Sequence, residues 1–220
     1  MIETNNSMQE DIRKFALCFI DPPTQCVSDT ISFETSAIVE LCEIVYPDAT
    51  YLPSSFLIEL EYDDIEKLKQ HFGISFAARY ELAHLRPWHF LDDLPYVVHT
   101  NSELLLMLQR KKPFAAFTEA FPTDPSESYI PEELFAPHIS AGIFVKREMV
   151  FEEFTGAKTR IVMYARLGEE WRANAFMLLK ATAKKAGWSE GFERMEGSLL
   201  GYEDWQNDIY IREVFNARNK

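Results

Sequence analysis

The hydrophobic positions of the N-terminal half form short groups whose spacing changes between strand and helix periodicity. Apolar runs bounded by turn residues, and alternation of apolar with acidic positions, indicate strands. Apolar positions that recur every three or four residues indicate amphipathic helices. The predicted strands are residues 14–20, 56–62, 96–99 and 114–117, and the predicted helices are residues 35–46, 63–72, 76–85 and 104–108.

The C-terminal half has a different order of elements, with strands first and helices after them. Residues 142–154 and 160–164 are predicted to form a strand pair that turns near Gly156. Three helices follow, with predicted bounds 169–186, 189–200 and 204–217. Near their starts lie three tryptophans, each expected to anchor its helix in a shared core: Trp171, Trp188 and Trp205.

These patterns predict an α+β protein in two parts. Residues 1–121 form an acidic α/β half, and residues 138–220 form a β-hairpin followed by three helices. Between them, residues 122–137 contain four of the eleven prolines, which predicts a loop or linker. The two halves are also compatible with one continuous domain.

The charge is distributed unevenly, and this gives the first functional expectation. The formal net charge is −13, and residues 15–66 contain eleven carboxylates but no Lys or Arg. Such a surface repels nucleic-acid phosphates and attracts a basic partner by long-range steering. The predicted partner-binding residues are Asp21, Asp29, Glu34, Glu40, Glu43, Asp48, Glu59 and Glu61. The alternative is that these carboxylates only keep the protein dispersed in solution.

The remaining composition gives information about cellular location but not about a specific activity. Three cysteines without a CxxC pair predict reduced thiols, and therefore a cytoplasmic protein. No apolar run reaches the roughly 18 residues that indicate a membrane span, and the first residues lack the apolar core of a signal peptide. Residues 1–72 contain no Gly, which excludes a dinucleotide-binding loop after the first strand, and we expect no cofactor.

One group of titratable residues allows an enzymatic alternative. Glu81 and His84 are three residues apart, so a helix over residues 76–85 would place them on one face. His89 and Asp92 follow, and side chains of these types bind zinc, iron or manganese. Because His84 and His89 are off helical register and HExxH is absent, we expect ion pairs around a kink and no metal.

Two other sets of residues carry side chains that are common in catalysis. Glu169, Glu170 and Arg172 begin a predicted helix and could line a pocket in which the carboxylates act as acid and base. The alternative is structural, because the helix dipole favours acidic residues in a first turn. Cys18 and Cys42 lie in apolar runs, where a thiol is usually inert rather than paired with a histidine.

The sequence therefore favours a non-enzymatic binding module over an enzyme. We expect an acidic inhibitor or adaptor, such as an immunity-type neutraliser of a nuclease, that recognises a basic protein partner by charge complementarity. The alternative is a small cytosolic enzyme, metal-dependent or not, that uses one of the carboxylate and histidine clusters. Neither direct nucleic-acid binding nor membrane association is expected, and the oligomeric state stays open.

Overall fold

The computed structural model describes residues 12–47, 52, 55–124, 128–152 and 156–218. Two compact units make up the chain, Met1–Asp92 and Asp93–Lys220. Each contains an antiparallel sheet with helices, so the fold class is α+β, as predicted. The division lies before the proline-rich segment 122–137, which instead runs inside the second unit and becomes helical from Glu132.

The sheet of the first unit has four antiparallel strands in the order β2-β1-β4-β3. The strands are β1 (Arg13–Asp21), β2 (Cys26–Thr35), β3 (Ile58–Glu61) and β4 (Leu82–Pro87). Two helices accompany them, α1 (Ile38–Val45) and α2 (Tyr62–Phe72). Helix α2 ends at Gly73, whose φ of 64° is the left-handed conformation that glycine adopts most readily.

One face of this sheet forms the core of the first unit. Phe15, Leu17 and Phe19 of the central strand β1 point to this face, and they are at most 1% exposed. Leu41 of α1 and Ile65 of α2 belong to the same buried cluster. The alternate residues of β1 point to the opposite face, which carries most of the polar side chains discussed below.

The first unit differs from the prediction in one element type and one omission. Residues 82–87, predicted mostly as the end of a helix, form strand β4, because Ala83 and Leu85 alternate with polar residues and fill the core face. Strand β2 was not predicted, since this edge strand has mainly polar side chains. In the second unit, residues 96–99, predicted as a strand, have no regular secondary structure.

The sheet of the second unit has three strands in the order β5-β7-β6. They are β5 (Phe114–Phe121), β6 (Phe144–Glu152) and β7 (Lys158–Arg166). Its helices are α3 (Glu103–Leu108), α4 (Glu132–Ser140), α5 (Trp171–Ala186), α6 (Glu190–Leu200) and α7 (Asp204–Tyr210), and α7 continues through a π-helical turn to Arg218. The predicted strand pair followed by three helices is confirmed.

Helices cover both faces of this second sheet. On one face, Phe114 and Met163 pack with Phe176 of α5 in a buried cluster. On the other face, Tyr164 of β7 stacks on Phe135 of α4, with ring centroids 3.9 Å apart. This second face continues along β7 to a set of charged residues that α4 also borders.

The tryptophans do not anchor the three C-terminal helices, contrary to the prediction. Trp171 is 54% exposed, and Trp188 and Trp205 are 40% and 44% exposed. The indole of Trp171 stacks instead with the guanidinium of Arg172, 4.7 Å from the ring centroid. The core positions near the starts of α5 and α7 belong to Ala173 and Asn207, which are buried.

Candidate functional site

The carboxylates predicted to bind a partner lie on different sides of the first unit. Glu40 and Glu43 belong to α1, which packs on the core face of the sheet. Glu34 and Glu59 lie on the opposite face, because their register partners are Lys14 and His84. Glu61 shares that face with Glu59. These five residues therefore do not form one continuous patch.

The three other predicted partner-binding carboxylates differ in their surroundings. Asp21 accepts hydrogen bonds from the backbone and hydroxyl of Thr24, at 3.1 and 2.5 Å, and so closes the turn after β1. Asp29 accepts a hydrogen bond of 3.0 Å from the hydroxyl of Tyr80. Asp48 lies outside the described residues.

The exposed side of α1 combines acidic and apolar side chains. Val39 and Tyr46 are 63% and 57% exposed, and Glu43 lies between them at helical spacing, with Glu40 beside it. Neither glutamate forms an ion pair within the part of the chain that the structure describes. We refer to Val39, Glu40, Glu43 and Tyr46 as the α1 face.

The structure separates the side chains of the predicted metal or catalytic cluster. Glu81 pairs with Arg79 at 3.1 Å, and both are exposed. His84, on β4 rather than on a helix, places Nε2 3.6 Å from Oε2 of Glu59. Among the described residues, no group of three or more His, Cys, Asp and Glu side chains is placed to hold a metal ion.

Asp92 and His89 take part in local structure instead. The carboxylate of Asp92 accepts two hydrogen bonds from the guanidinium of Arg86, at 2.6 and 2.7 Å, and one from the backbone N–H of His89 at 2.7 Å. Partial burial opposes ionisation of Asp92, but these hydrogen bonds outweigh it and lower the pKa of the carboxyl. The Nδ1 atom of His89 accepts from the backbone of Leu91.

Strand pairing creates a row of residues that sequence reasoning missed. Cys18, His84 and Glu59 are register partners on three adjacent strands, so all three lie on the same face of the sheet. Cys18 is only 3% exposed, however, and a buried thiol is a poor nucleophile for an external substrate. Sequence spacing gives no sign of this row, because it depends on the strand register.

The charged start of α5 is structural. Arg172 pairs with Glu169 at 2.8 Å. Its Nη1 donates to the backbone carbonyls of Ser198 and Leu199 in α6, at 2.9 and 3.0 Å. Glu170 is partly exposed, and hydrogen bonds from its own backbone N–H and from that of Gly168 lower the pKa of its carboxyl. Arg172 therefore connects the start of α5 to the end of α6.

A buried lysine completes the same helix end. The Nζ atom of Lys112, 2% exposed, donates to the carbonyl of Leu200 at 2.9 Å and lies 3.2 Å from Nδ1 of His99. The last carbonyls of a helix lack partners within the helix. In α6, Arg172 and Lys112 donate hydrogen bonds to the successive carbonyls of residues 198, 199 and 200. Cations at this end of a helix also interact favourably with the helix dipole.

Burial changes the acid–base properties of the groups around Lys112. Desolvation lowers the pKa of Lys112 to about 8, although the carboxylate of Glu103 opposes the change. Desolvation and the nearby ammonium lower the pKa of His99 to about 4. The His99 ring stacks on Tyr202, with centroids 4.1 Å apart, and burial raises the pKa of Tyr202 to about 12.

The densest charged cluster of the second unit centres on Arg160 of β7. Its guanidinium binds Glu119 at 2.8 Å, Glu132 at 2.5 Å, and both oxygens of Glu148 at 2.8 and 3.0 Å. Lys146 also contacts Glu132 and lies 3.5 Å from Glu148. The Glu119 side chain is 2% exposed, so this ion pair is partly shielded from water.

The cations of this cluster favour the ionised forms of Glu132 and Glu148. Hydrogen bonding from Arg160 lowers the pKa of Glu148. Burial alone would raise the pKa of Glu132, but hydrogen bonds from Lys146 and Arg160 lower it instead. Three carboxylates against two cations leave the cluster with an excess negative charge.

A cleft of about 650 Å³ opens beside this cluster. Glu119, Glu132 and Glu133 line it together with Arg160, and apolar side chains from β5 and the segment before α4 complete its wall. The sequence held one signal of this site, because Glu119 interrupts the largely apolar strand β5, whereas Arg160 follows two polar residues at the start of β7. Their direct opposition in the β5–β7 register was not visible without the structure.

Comparison with known proteins gives no relative from which function could be transferred. No protein-family model, no curated protein and no solved structure matches this chain. Among the described residues, no helix is long and apolar enough to cross a membrane.

Proposed function

We propose that this protein is a non-enzymatic binding module that recognises a basic protein partner, in the manner of an acidic inhibitor or immunity-type neutraliser. The observation that carries the proposal is the α1 face, where two exposed carboxylates without described ion pairs lie beside two exposed apolar side chains. Tyrosine is enriched at protein interfaces, whereas unpaired carboxylates speed the encounter with a positively charged surface.

The contrast between the two units supports the same proposal. The first unit has 16 acidic and 6 basic residues, whereas the second has 19 and 16. In the second unit, buried or half-buried carboxylates such as Glu119 and Glu196 are paired with Arg160 and Lys180. The excess charge of the first unit therefore gives a partner-binding surface there a negative field.

The test captures partners from the native cell at low salt and then measures association rates with the purified partner. We expect a partner with a basic surface whose association slows steeply as salt is added. The double variant Glu40→Gln/Glu43→Gln should slow association, and Tyr46→Ala should speed dissociation, because the former removes steering and the latter removes packed area.

The matched control is Glu59→Gln/Glu61→Gln, which removes two charges from the opposite face of the sheet. It should change the association rate less than the α1 variant does. Equal effects of the two double variants would contradict the assignment to α1. A partner whose association is insensitive to salt and to both variants would contradict the proposed function itself.

A further inference from the structure

The cleft beside Arg160 has the features of a small-ligand site. Its volume of about 650 Å³ is within the range of roughly 300–1,000 Å³ that is common for ligand pockets. The lining combines charged side chains with apolar ones, which suits a ligand that has one polar end.

The charged side favours a cation rather than an anion. Arg160 is the one cation among the described lining residues, and its three nitrogen atoms already donate to Glu119, Glu132 and Glu148. An incoming anion would have to displace one of these carboxylates. The glutamates have spare capacity, because an ionised carboxylate offers about four acceptor positions.

Glu133 adds a carboxylate to which a cation could bind without displacing an ion-pair partner. It is exposed on the first turn of α4, lines the cleft, and forms no ion pair within the described residues. Glu119, Glu132 and Glu133 together oppose only Arg160 within the lining. A positively charged group in the cleft would therefore reduce an existing charge imbalance.

The apolar wall determines what the cation is attached to. Phe121, 41% exposed, lies on this wall with Ile130 and Leu134. An alkyl stem packed on these side chains would remove apolar surface from water while its head reaches the carboxylates. A bare metal ion uses none of this wall, and the described carboxylates are not grouped to bind one.

From these features we infer that the cleft binds an ammonium or guanidinium group carried on an apolar stem. This is the chemistry of lysine and arginine side chains and of polyamines. The inference does not depend on the proposed function, because the α1 face belongs to the other compact unit.

The test titrates the isotope-labelled full chain with acetyl-arginine amide and acetyl-lysine amide and follows its backbone amide resonances. We expect saturable shifts at Phe121, Ile130 and Glu133. Acetyl-norleucine amide has the stem without the charge, and it should cause no saturable shift at the same concentrations. Spermidine distinguishes the sources: tighter binding than the capped amino acids identifies a free polyamine, and weaker binding identifies a side chain.

The variant Glu133→Gln should weaken binding about two- to fivefold, the effect expected for a partly exposed ion pair. Its matched control is Glu190→Gln, which removes an exposed charge from α6 of the same unit, outside the cleft lining. Equal affinities of the two variants, equal binding of the norleucine derivative, or no saturation with any of the cations would overturn the inference. These outcomes are separate from failure at the α1 face, which the partner kinetics measure.

Discussion

The Nζ atom of Lys112 lies 3.2 Å from Nδ1 of His99, and the Lys112 side chain is almost completely buried. The pKa of His99 is about 4 in the folded protein against an ordinary value of 6.5. Between these two pH values the unfolded chain binds more protons than the folded chain. Acidification through this range therefore lowers the free energy of unfolding.

The variant His99→Asn keeps a side-chain acceptor near Lys112 but cannot take up a proton. We expect the loss of stability between pH 6.5 and pH 4 to be smaller by about 1–2 kcal/mol than in the parent, after allowance for partial exposure. Urea unfolding followed by tryptophan fluorescence measures this difference. Substitution of the exposed His71 by Asn is the control. If it reduces the pH dependence of the free energy of unfolding by the same amount, the explanation is contradicted.

Lys112 affects the free energy of unfolding in the alkaline pH range. Its pKa of about 8 lies below the ordinary 10.5, so the unfolded chain again binds more protons, here between pH 8 and 10.5. The contribution of Lys112 therefore makes the folded protein more stable as pH rises through this range.

Arg160 holds the almost fully buried carboxylate of Glu119. Replacement of Arg160 by Gln leaves that carboxylate without its cation, and removal of one partner of a buried pair costs about 3–5 kcal/mol. We expect this loss at pH 7 in urea unfolding.

The exposed pair of Arg212 and Glu213 provides the control for that variant. Arg212→Gln should change the free energy of unfolding by less than about 0.5 kcal/mol, since exposed ion pairs contribute little. A cost of Arg160→Gln no larger than that of Arg212→Gln would contradict the stabilising role of the pair between Arg160 and Glu119.

At the scale of elements, α6 and α7 approach each other closely through a glycine. A methyl group on Gly197 would overlap Oδ1 of the buried Asn207, whose Nδ2 donates to Oγ of Ser198 at 3.2 Å. Gly197→Ala should therefore destabilise the protein by about 1–3 kcal/mol, although alanine is the better helix former.

Gly191 in the same helix allows a matched comparison. The nearest atom to an added methyl group there is the Ser189 hydroxyl oxygen at 3.8 Å, an ordinary contact. Gly191→Ala should raise stability by up to about 1 kcal/mol through helix propensity. Thermal unfolding of the two variants should give shifts of opposite sign, and shifts of the same sign would show that Asn207 simply moves aside.

The sequence predicted elements well where one periodicity dominated, as in α2 and in the strand pair β6 and β7. It failed where local signals competed. Ala83, His84, Leu85 and Arg86 alternate in polarity as a strand does, but the following Pro87 suggested a helix end. Helix α4 was not predicted, because it begins within the proline-rich segment that indicated a loop or linker.

The candidate sites were less predictable than the elements, because each depends on contacts distant in sequence. Arg172 contacts carbonyls of residues 198 and 199, and Lys112 contacts Leu200. Glu119 and Arg160 meet only through strand register. Charge counts identified the acidic half but could not place its carboxylates on faces, which requires knowledge of where α1 and the strands lie.

For the whole molecule, the charge contrast between the two units predicts a difference in their response to salt. The first unit has a net charge of −10 and the second −3. Raising salt from about 0.01 M to 0.1 M shortens the screening length from roughly 30 to 10 Å and weakens repulsion among like charges. Amide hydrogen exchange should therefore slow more in the first unit than in the second, and a uniform response would contradict this.

The order of strands in the first sheet has a consequence for how separate copies of the protein behave toward each other. Strands β2 and β3 are its edges, and edge strands present backbone groups that a strand of another molecule can pair with. Asp29 and Glu34 on β2, and Glu59 and Glu61 on β3, would meet like charges in such a pairing. Replacing the four carboxylates by their amides, in the variant Asp29→Asn/Glu34→Gln/Glu59→Gln/Glu61→Gln, removes this repulsion. Light scattering should then reveal edge-to-edge aggregation of the variant that the parent does not show, because its charged edges keep the molecules apart.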